Sequence, residues 1–357
     1  MIKYTENASL RPYNTFGLNA KASLLVEYTA EEDLPLIFAD ERVKNRPFLH
    51  VGEGSNLLFT KDFDGVVLHS GIRGIKPASQ TEDVVLLECG AGEKWDLVCE
   101  WCVDRGFYGI ENLSAIPGEV GAAAVQNIGA YGMEFKDVAV AISVYDVEQN
   151  KNVIISASDC QYGYRTSLFK TPAFKNRFIV TNVLLSLSRK ALFLLDYGNI
   201  KAALLERGFS LTQGSDKRKP QRNLRGKQIT LHAMRETICA IRAAKLPDPH
   251  VMGNAGSFFK NPIIPKMLYN TLKEEYPDMP MYEVDDARVK VPAGWLIERS
   301  GCKERHVGDA AVYPLQCLVL VNRGHASAND IIQLAALIVE AVQERFGIKI
   351  EPEVNYI

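Results

Sequence analysis

The chain has 357 residues, of which 47% are hydrophobic and 24% are charged, and its formal net charge is −2. This length exceeds one ordinary hydrophobic core, so we expect two or three domains, and the small net charge argues against nucleic acid or a membrane surface as a partner. The start, MIKYTENASLRPYNTFG, lacks the basic and apolar regions of a secretory signal, and no apolar run reaches the roughly 18 residues of a membrane span. We therefore expect a cytoplasmic protein.

The predicted elements indicate an α+β fold. Short strands are predicted within 46–59, 64–70, 84–98, 138–146 and 178–187, and helices around Trp95, over 231–244 and over 328–346. The strands and helices are scattered and no internal repeat is visible, so the chain does not show the regular alternation of a parallel β-α-β protein.

The cysteines do not form a disulfide framework, because there are seven of them, spread along a long chain. Cys99 and Cys102 spell C-x-x-C and could form a redox couple. The helical spacing of apolar residues in WDLVCEWCVDRG instead favours two thiols on a buried stripe. No second C-x-x-C or histidine pair completes a zinc site, so we expect no metal. The six histidines are dispersed, and we assign none of them a catalytic role.

Residues 214–228, GSDKRKPQRNLRGKQ, form a polar and basic segment. Such a segment could grip phosphates or nucleic acid. A solvated loop between a strand and the following helix is the favoured interpretation.

Three glycine-rich motifs are typical of phosphate binding by backbone N–H groups. VGEGSN, residues 51–56, follows a predicted strand, but it is neither G-x-G-x-x-G nor a Walker motif. Two later motifs, IPGEVG and QNIGAYG, supply further glycines and an amide pair, namely Gly118, Gly121, Gly129, Gly132, Gln126 and Asn127. Together the motifs suit a long, anionic, dinucleotide-like ligand that lies between two lobes.

GNAGSFFKNP, residues 253–262, places Ser257 between two glycines and two phenylalanines. The glycines allow the backbone to approach a ligand closely. We expect neither a helix nor a strand here, and we expect the aromatic rings to keep water from the hydroxyl.

Other segments offer side chains that suit an anionic substrate. Arg165, beside Tyr164 in CQYGYRTSLFK, has a guanidinium that binds a carboxylate or phosphate through two hydrogen bonds. Lys245 precedes the rigid LPDP, and Tyr197 lies on a predicted loop tip. Glu351 and Glu353 share one face of a predicted C-terminal strand, from which a carboxylate could reach an active site.

These motifs, in this order over nearly the whole chain, resemble the UDP-N-acetylenolpyruvoylglucosamine reductase family. The resemblance runs from YNTFG through KLPDP and AGWLIE to EPEV, and LDYGNI is similar to the family's type with a substrate-closing tyrosine loop. It implies a two-lobed, PCMH-type FAD-binding architecture with a C-terminal α/β substrate-binding domain. The implied domains are 1–73 joined by a strand at about 350–357, 74–246, and 247–349.

The resemblance also implies a reaction and residue roles. NADPH reduces noncovalent FAD, and the enolpyruvyl group of UDP-N-acetylglucosamine enolpyruvate then receives the hydride, which gives UDP-N-acetylmuramate for peptidoglycan. Arg165 is implied as the enolate-stabilising cation, Ser257 as the proton donor and Glu353 as the partner carboxylate. The residues implied in substrate binding are Tyr164, Tyr197, Lys245 and Asn261. The residues implied in cofactor binding are Gly52, Gly54, Ser55, Asn56, Pro117, Gly118, Gly121, Gln126, Asn127, Gly129, Ala130 and Tyr131.

Three positions depart from the family pattern. Ala124 replaces a usual proline in the flavin loop, Arg299 stands where a glutamine is frequent, and Asn355 replaces a frequent basic residue. None of them is Arg165, Ser257 or Glu353, so we expect the activity to be retained. We also expect the protein to be a monomer.

Two other functions fit the same architecture. One is a flavin oxidase that passes electrons to oxygen, and the other is a sugar-nucleotide sensor without catalysis. NADPH oxidation that rises with the enolpyruvyl substrate separates the reductase from both, because an oxidase turns over with oxygen alone and a sensor does not turn over.

Overall fold

The computed structural model describes residues 1–211 and 227–357. The chain forms two compact units, each assembled from separate stretches. Unit 1 comprises Met1–Thr5, Leu24–Gly52 and Gly65–Ala244, and unit 2 comprises Glu6–Ser23, Glu53–Asp64 and Lys245–Ile357. The predicted division into three domains stays a prediction.

Helices and strands are mixed along the chain, as the α+β prediction requires. The strands are β1 Ile2–Ser9, β2 Lys21–Tyr28, β3 Phe48–Val51, β4 Leu57–Leu58, β5 Phe63–Ser70, β6 Ile75–Gln80, β7 Val84–Gly90, β8 Gly129–Ala130, β9 Met133–Glu134, β10 Ala139–Asp146, β11 Lys151–Ser156, β12 Phe178–Ser188, β13 Phe209–Ser210, β14 Lys227–Gln228, β15 Gly253–Ser257, β16 Ile263–Pro265, β17 Tyr282–Glu283, β18 Arg288–Lys290, β19 His306–Val307, β20 Ala310–Val312, β21 Val319–Asn322 and β22 Asn355–Tyr356. The α-helices are α1 Asp33–Ala39, α2 Trp95–Asp104, α3 Val120–Gln126, α4 Ile200–Glu206, α5 Leu231–Lys245, α6 Lys266–Glu275, α7 Ala293–Arg299 and α8 Ala328–Phe346.

The larger sheets pair strands that are distant in sequence. A five-stranded sheet has the order β11-β10-β12-β7-β6, in which neighbours run antiparallel, and a four-stranded sheet has the order β1-β2-β5-β3, in which β3 and β5 run parallel. Within unit 2 a four-stranded sheet has the order β15-β21-β20-β19 and a three-stranded sheet the order β16-β18-β17. Smaller pairs join β4 to β22, β8 to β9 and β13 to β14.

The core of unit 1 forms around Trp95, which is fully buried and donates its indole N–H to the Leu113 carbonyl at 3.0 Å. Cys99 and Cys102 lie in the same core on α2, with no exposed surface. Burial raises the pKa of the Cys99 thiol well above its usual range, so it stays protonated and unreactive. This agrees with the structural interpretation of the C-x-x-C pair.

The core of unit 2 is built on α8, whose bounds match the predicted helix. Ser327 and Asp330 form a capping box at its start, and Gly347 ends it with a left-handed φ of 66°. Its buried stripe follows the helical period, namely Ile331, Leu334, Ala335, Ile338, Val342 and Phe346. The predicted helix over 231–244 is confirmed as α5.

Two segments differ from the prediction, and a third lies largely outside the described residues. The stretch 111–132, read as irregular, contains α3, because Val120–Gln126 has a run of small residues that pack closely against the sheet. Residues 253–257 form strand β15, although their composition indicated neither helix nor strand. Of the basic segment, residues 214–226 lie outside the described residues, and Lys227 and Gln228 form β14.

No helix among the described residues combines the length and the apolar composition that a membrane span requires.

Ile338 on α8 tests the core of unit 2, since it has no exposed surface. We expect Ile338→Ala to lower the free energy of unfolding by about 2–5 kcal/mol, because it leaves a cavity. The control is Gln333→Ala on the exposed face of the same helix, which should change it by no more than about 0.5 kcal/mol. Urea denaturation measures both, and equal unfolding midpoints would contradict this packing.

Candidate active site

The first glycine motif contains one strongly constrained position. Gly54 has φ of 70°, and a Cβ there would lie 1.9 Å from the Tyr13 carbonyl oxygen, so only glycine fits. Gly52 follows β3 in unit 1, whereas Gly54, Ser55 and Asn56 belong to unit 2. The Asn56 side chain donates to the Glu353 carbonyl at 3.2 Å, within unit 2.

Several backbone groups of the second motif, residues 116–121, form hydrogen bonds within the protein. Gly118 is buried with φ of 113°, and its carbonyl accepts from Trp95 N at 3.0 Å, while Pro117 beside it is exposed. The N–H groups of Val120 and Gly121 donate to the carbonyls of Glu93 and Ala91. These two N–H groups are therefore used within unit 1.

Helix α3 ends at Gln126, and Asn127 follows it in the left-handed conformation, with φ of 46°. The buried Asn127 side chain donates to Glu134 Oε2 at 3.0 Å and to the Gly163 carbonyl at 2.9 Å, and its oxygen accepts from Lys136 N. An asparagine amide has two hydrogens. Both are used within the protein, so this side chain positions the loop and has no hydrogen left for the cofactor.

Gly129 and Ala130 form β8, and Tyr131 follows with φ of 50° at the turn to β9. The Tyr131 carbonyl accepts from Asn112 Nδ2 at 2.9 Å. A Cβ at Gly129 would lie 3.0 Å from Arg165 Nη1, so the small residue leaves room for the guanidinium. The side chains of Asn112 and Arg165, both in unit 1, therefore lie against the loop over 127–134.

Arg165 lies in a tight turn, where Gly163 and Thr166 exchange backbone hydrogen bonds at 3.1 Å. Its φ of 55° is unusual for a residue with a side chain and indicates a conformation held by its surroundings. Nη2 donates to the Gly129 carbonyl at 2.7 Å, and the guanidinium lies 5.5 Å from the centre of the Tyr164 ring. The structure therefore brings Arg165 and Tyr164 to the predicted cofactor loop.

Tyr197 also lies against this loop. A Cβ at Gly132 would be 3.4 Å from Tyr197 Cβ, and Gly198, with φ of 63°, lies beside the Tyr131 ring. Asn112 donates to the Leu194 carbonyl at 3.0 Å and so anchors the segment that precedes Tyr197. The segment around Tyr197 and the loop over 127–134 are therefore neighbours within unit 1.

Ser257 ends β15 in unit 2 and pairs with Val319 of β21. Gly256, with φ of 67°, interrupts the pairing, and its N–H donates to the Asn254 side chain at 2.9 Å. Ser257 is exposed, whereas Phe258 is fully buried. Phe258 and Phe259 are both buried in the core of unit 2, so the expected aromatic wall does not cover the Ser257 hydroxyl.

The C-terminal segment lies beside Ser257 through backbone pairing within unit 2. Glu353 N donates to the Phe258 carbonyl at 2.8 Å, and Lys260 N donates to the Glu351 carbonyl at 2.9 Å. Glu353 is half-buried and Glu351 is exposed. The prediction of a strand that carries Glu351 and Glu353 is wrong, since β22 comprises only Asn355–Tyr356. An isolated bridge between Phe259 and Pro352 instead holds this segment beside the residues that follow Ser257.

Lys245 and Asn261 have local structural roles as well. Lys245 is exposed and is the last residue of α5, where a cation is favourable beside unpaired carbonyls. Asn261 Oδ1 accepts from Ala293 N at 2.9 Å, which satisfies an N–H at the start of α7. Neither contact excludes a role in substrate binding.

The three departures from the family pattern are accommodated without strain. Ala124 is fully buried in the core of unit 1. Arg299 pairs with Asp278, both within unit 2. Asn355 N donates to the Asn56 carbonyl at 3.1 Å.

Sequence reasoning missed a polar network in unit 1 that contacts Tyr131 of the 127–134 loop. Asp96 accepts from Ala115 N at 2.5 Å and from Arg235 Nη1 at 2.6 Å, while Arg242 Nε donates to the Ala115 carbonyl at 3.1 Å. Arg242 also hydrogen-bonds Tyr131, and burial lowers its pKa. One signal was available, because two arginines interrupt the apolar pattern of α5.

Two family profiles match the chain. The profile described as FAD binding domain matches residues 22–149, and the profile described as UDP-N-acetylenolpyruvoylglucosamine reductase, C-terminal domain, matches residues 248–357. The PCMH-type architecture and the C-terminal domain that the resemblance implied are thereby confirmed.

Curated relatives match over almost the full length. UDP-N-acetylenolpyruvoylglucosamine reductase from Bacteroides fragilis is 46% identical over 98% of each chain, and that from Flavobacterium johnsoniae is 40% identical over 100% of each. The crystal structure of the reductase from Thermus caldophilus is 21% identical, with a TM-score of 0.65 over 100% of this chain and 98% of that one, which shows a shared fold. The chain belongs to the UDP-N-acetylenolpyruvoylglucosamine reductase family.

Proposed function

We propose that this chain performs the reaction of its family, NADPH-dependent reduction of UDP-N-acetylglucosamine enolpyruvate to UDP-N-acetylmuramate, through Arg165, Ser257 and Glu353. The observation that supports these roles is the backbone pairing of residues 258–260 with 351–353, which holds the residue next to Ser257 against Glu353 within unit 2. The structure and its relatives together make this function the best supported.

The glycine motifs fit FAD. Gly54 and Gly118 have positive φ, a Cβ at Gly54 would meet the Tyr13 backbone, and a Cβ at Gly52 would lie 2.9 Å from Glu119 Oε2. These positions therefore favour glycine, which leaves the backbone accessible to a closely bound ligand. When bound, FAD supplies the hydride chemistry that joins NADPH to the enolpyruvyl group. The residues that would hold it noncovalently are Gly52, Gly54, Ser55, Asn56, Pro117, Gly118, Gly121, Gln126, Gly129, Ala130 and Tyr131, with Asn127 acting through the loop.

Arg165 would stabilise the negative charge that develops when hydride reaches the substrate double bond. Such charge needs donors that are already in position. The Gly129 carbonyl holds Nη2 at 2.7 Å, so the guanidinium is oriented before substrate arrives. An arginine in this strained turn is therefore a preorganised cation.

Ser257 would give a proton to the substrate carbon next to the carboxylate. A serine hydroxyl is a weak acid in water, but a close enolate that is removed from water is a strong base. Because Ser257 is exposed in unit 2, the substrate itself has to exclude water from it. Glu353 would act as the partner carboxylate of this proton transfer.

Tyr164, Tyr197, Lys245 and Asn261 would bind the substrate. Lys245 offers an exposed ammonium group for the diphosphate. The side-chain oxygen of Asn261 accepts from Ala293 N, which orients this amide at the start of α7. That the protein acts as a monomer in the cytoplasm belongs to the same proposal.

Gly54 tests the cofactor site. We expect Gly54→Ala to lose bound FAD and stability, because its Cβ meets the Tyr13 carbonyl. The control is Gly17→Ala, which has a similar φ of 68° and nothing within 4 Å, so it carries only the conformational cost of about 1–2 kcal/mol. Flavin content after dialysis measures the difference, and equal retention in the two variants would contradict the assignment.

Tyr197 tests substrate closure. Tyr197→Phe should weaken substrate binding more than reduction by NADPH, because the loop closes on the diphosphate after binding. Tyr108→Phe is the control, since Tyr108 packs on Phe193 of the preceding segment, with ring centres 5.7 Å apart. Rapid-mixing measurement of the two half-reactions distinguishes them, and equal losses in both would remove the proposed role.

Ser257 tests the proton donor. Ser257→Ala should keep FAD and the reduction by NADPH, while reoxidation of prereduced enzyme by the enolpyruvyl substrate slows by about 10²–10⁴-fold, the usual contribution of general acid catalysis. Ser257→Cys should recover part of this rate, because a thiol also donates a proton. Anaerobic stopped-flow absorbance follows the step, and a wild-type rate in Ser257→Ala would eliminate this residue as the acid.

A further inference from the structure

His69 lies at the end of β5, directly opposite Val51 of the neighbouring parallel strand β3. Its Nε2 is 3.0 Å from Glu119 Oε1, and both side chains are largely covered, at 18% and 6% exposure. All three residues belong to unit 1. The contact therefore links the sheet, just before Gly52, to the second glycine motif.

Glu119 occupies the N-cap position of α3 but makes no side-chain cap hydrogen bond. Its carboxylate instead faces His69 and Gly52, since a Cβ at Gly52 would lie 2.9 Å from Oε2. Its backbone bridges Lys94. Glu119 thus fixes the spacing between the two glycine motifs that are proposed to hold the cofactor.

This arrangement puts a buried carboxylate against backbone that is proposed to bind a diphosphate. Like charges in a poorly solvated site repel each other strongly. A protonated His69 offsets the charge of Glu119, whereas a neutral His69 leaves it in place. The charge of His69 therefore bears on how tightly an anionic group binds here.

We propose that His69 is a positioning residue for the FAD diphosphate: through Glu119 it holds the 116–121 loop against Gly52 and offsets the carboxylate's charge. This inference rests on the proposed cofactor-binding role of the two glycine motifs.

Other titratable groups lie near this pair. His50 on β3 contacts Tyr28 Oη at 2.8 Å, and burial, with the nearby His69, lowers its pKa to about 3. Burial raises the pKa of Tyr28. Glu93 pairs with Arg73.

The test is the FAD dissociation constant of the full chain, measured from the fluorescence of released flavin. His69→Ala removes the side chain that contacts Glu119 and should bind FAD about fivefold more weakly than wild type. His69→Gln restores a hydrogen-bond donor for Glu119, so it should recover part of the lost affinity. His232→Gln is the matched control, since His232 forms an exposed pair with Asp104 at 3.3 Å, and it should behave as wild type.

Glu119→Gln gives an independent second measurement. It removes the carboxylate charge, so at pH 8.5 it should bind FAD more tightly than wild type does.

A wild-type affinity in His69→Ala would overturn the proposal, and so would a loss of affinity that only parallels lower thermal stability or that His69→Gln does not recover at all. Weaker binding in Glu119→Gln at pH 8.5 would overturn the electrostatic part. Retention of FAD by Gly54→Ala would instead contradict the proposed cofactor site itself, so the two failures are distinguishable.

Discussion

The side-chain amide of Asn127 is the interaction on which the candidate site of unit 1 depends. It joins the end of α3, the hairpin at Glu134 and the turn at Gly163 through three hydrogen bonds of 2.9–3.0 Å. The residue has no exposed surface, so removal of the amide would leave buried backbone groups without partners. Because Arg165 lies in the turn that Asn127 holds, the position of this proposed catalytic cation follows from the amide.

Unit 2 positions its candidate groups by a different means, through main-chain hydrogen bonds. Phe258 and Lys260 pair with Glu353 and Glu351, and the adjoining phenylalanine rings are buried in the core. Such pairing fixes where the Cα atoms of these residues lie. The bulge at Gly256 interrupts the pairing of β15 and so presents the serine at the end of the strand.

The family's reaction explains why such rigid positioning is useful. The enzyme is an FAD-dependent reductase that uses NADPH to complete UDP-N-acetylmuramate, and additional negative charge would develop beside the substrate carboxylate only during hydride transfer. A cation that is held by Gly129, as Arg165 is, needs no rearrangement at that moment. The left-handed conformation of Arg165 is a local strain that the hydrogen bonds of the loop offset.

The sequence alone determined the family, the α+β class and the identity of the motifs, because glycines, turns and amphipathic periods are local properties of a chain. It also predicted the first and last residues of α5 and α8 to within one position, because capping residues and the helical period of apolar side chains can be recognised in a short stretch of sequence. Tertiary structure alone decided that the Asn127 amide forms hydrogen bonds within the protein, that Ser257 is exposed, and that Glu119 contacts His69, 50 residues away. These outcomes depend on long-range pairing of strands and on which side of the backbone each side chain lies, and no short stretch of sequence specifies either.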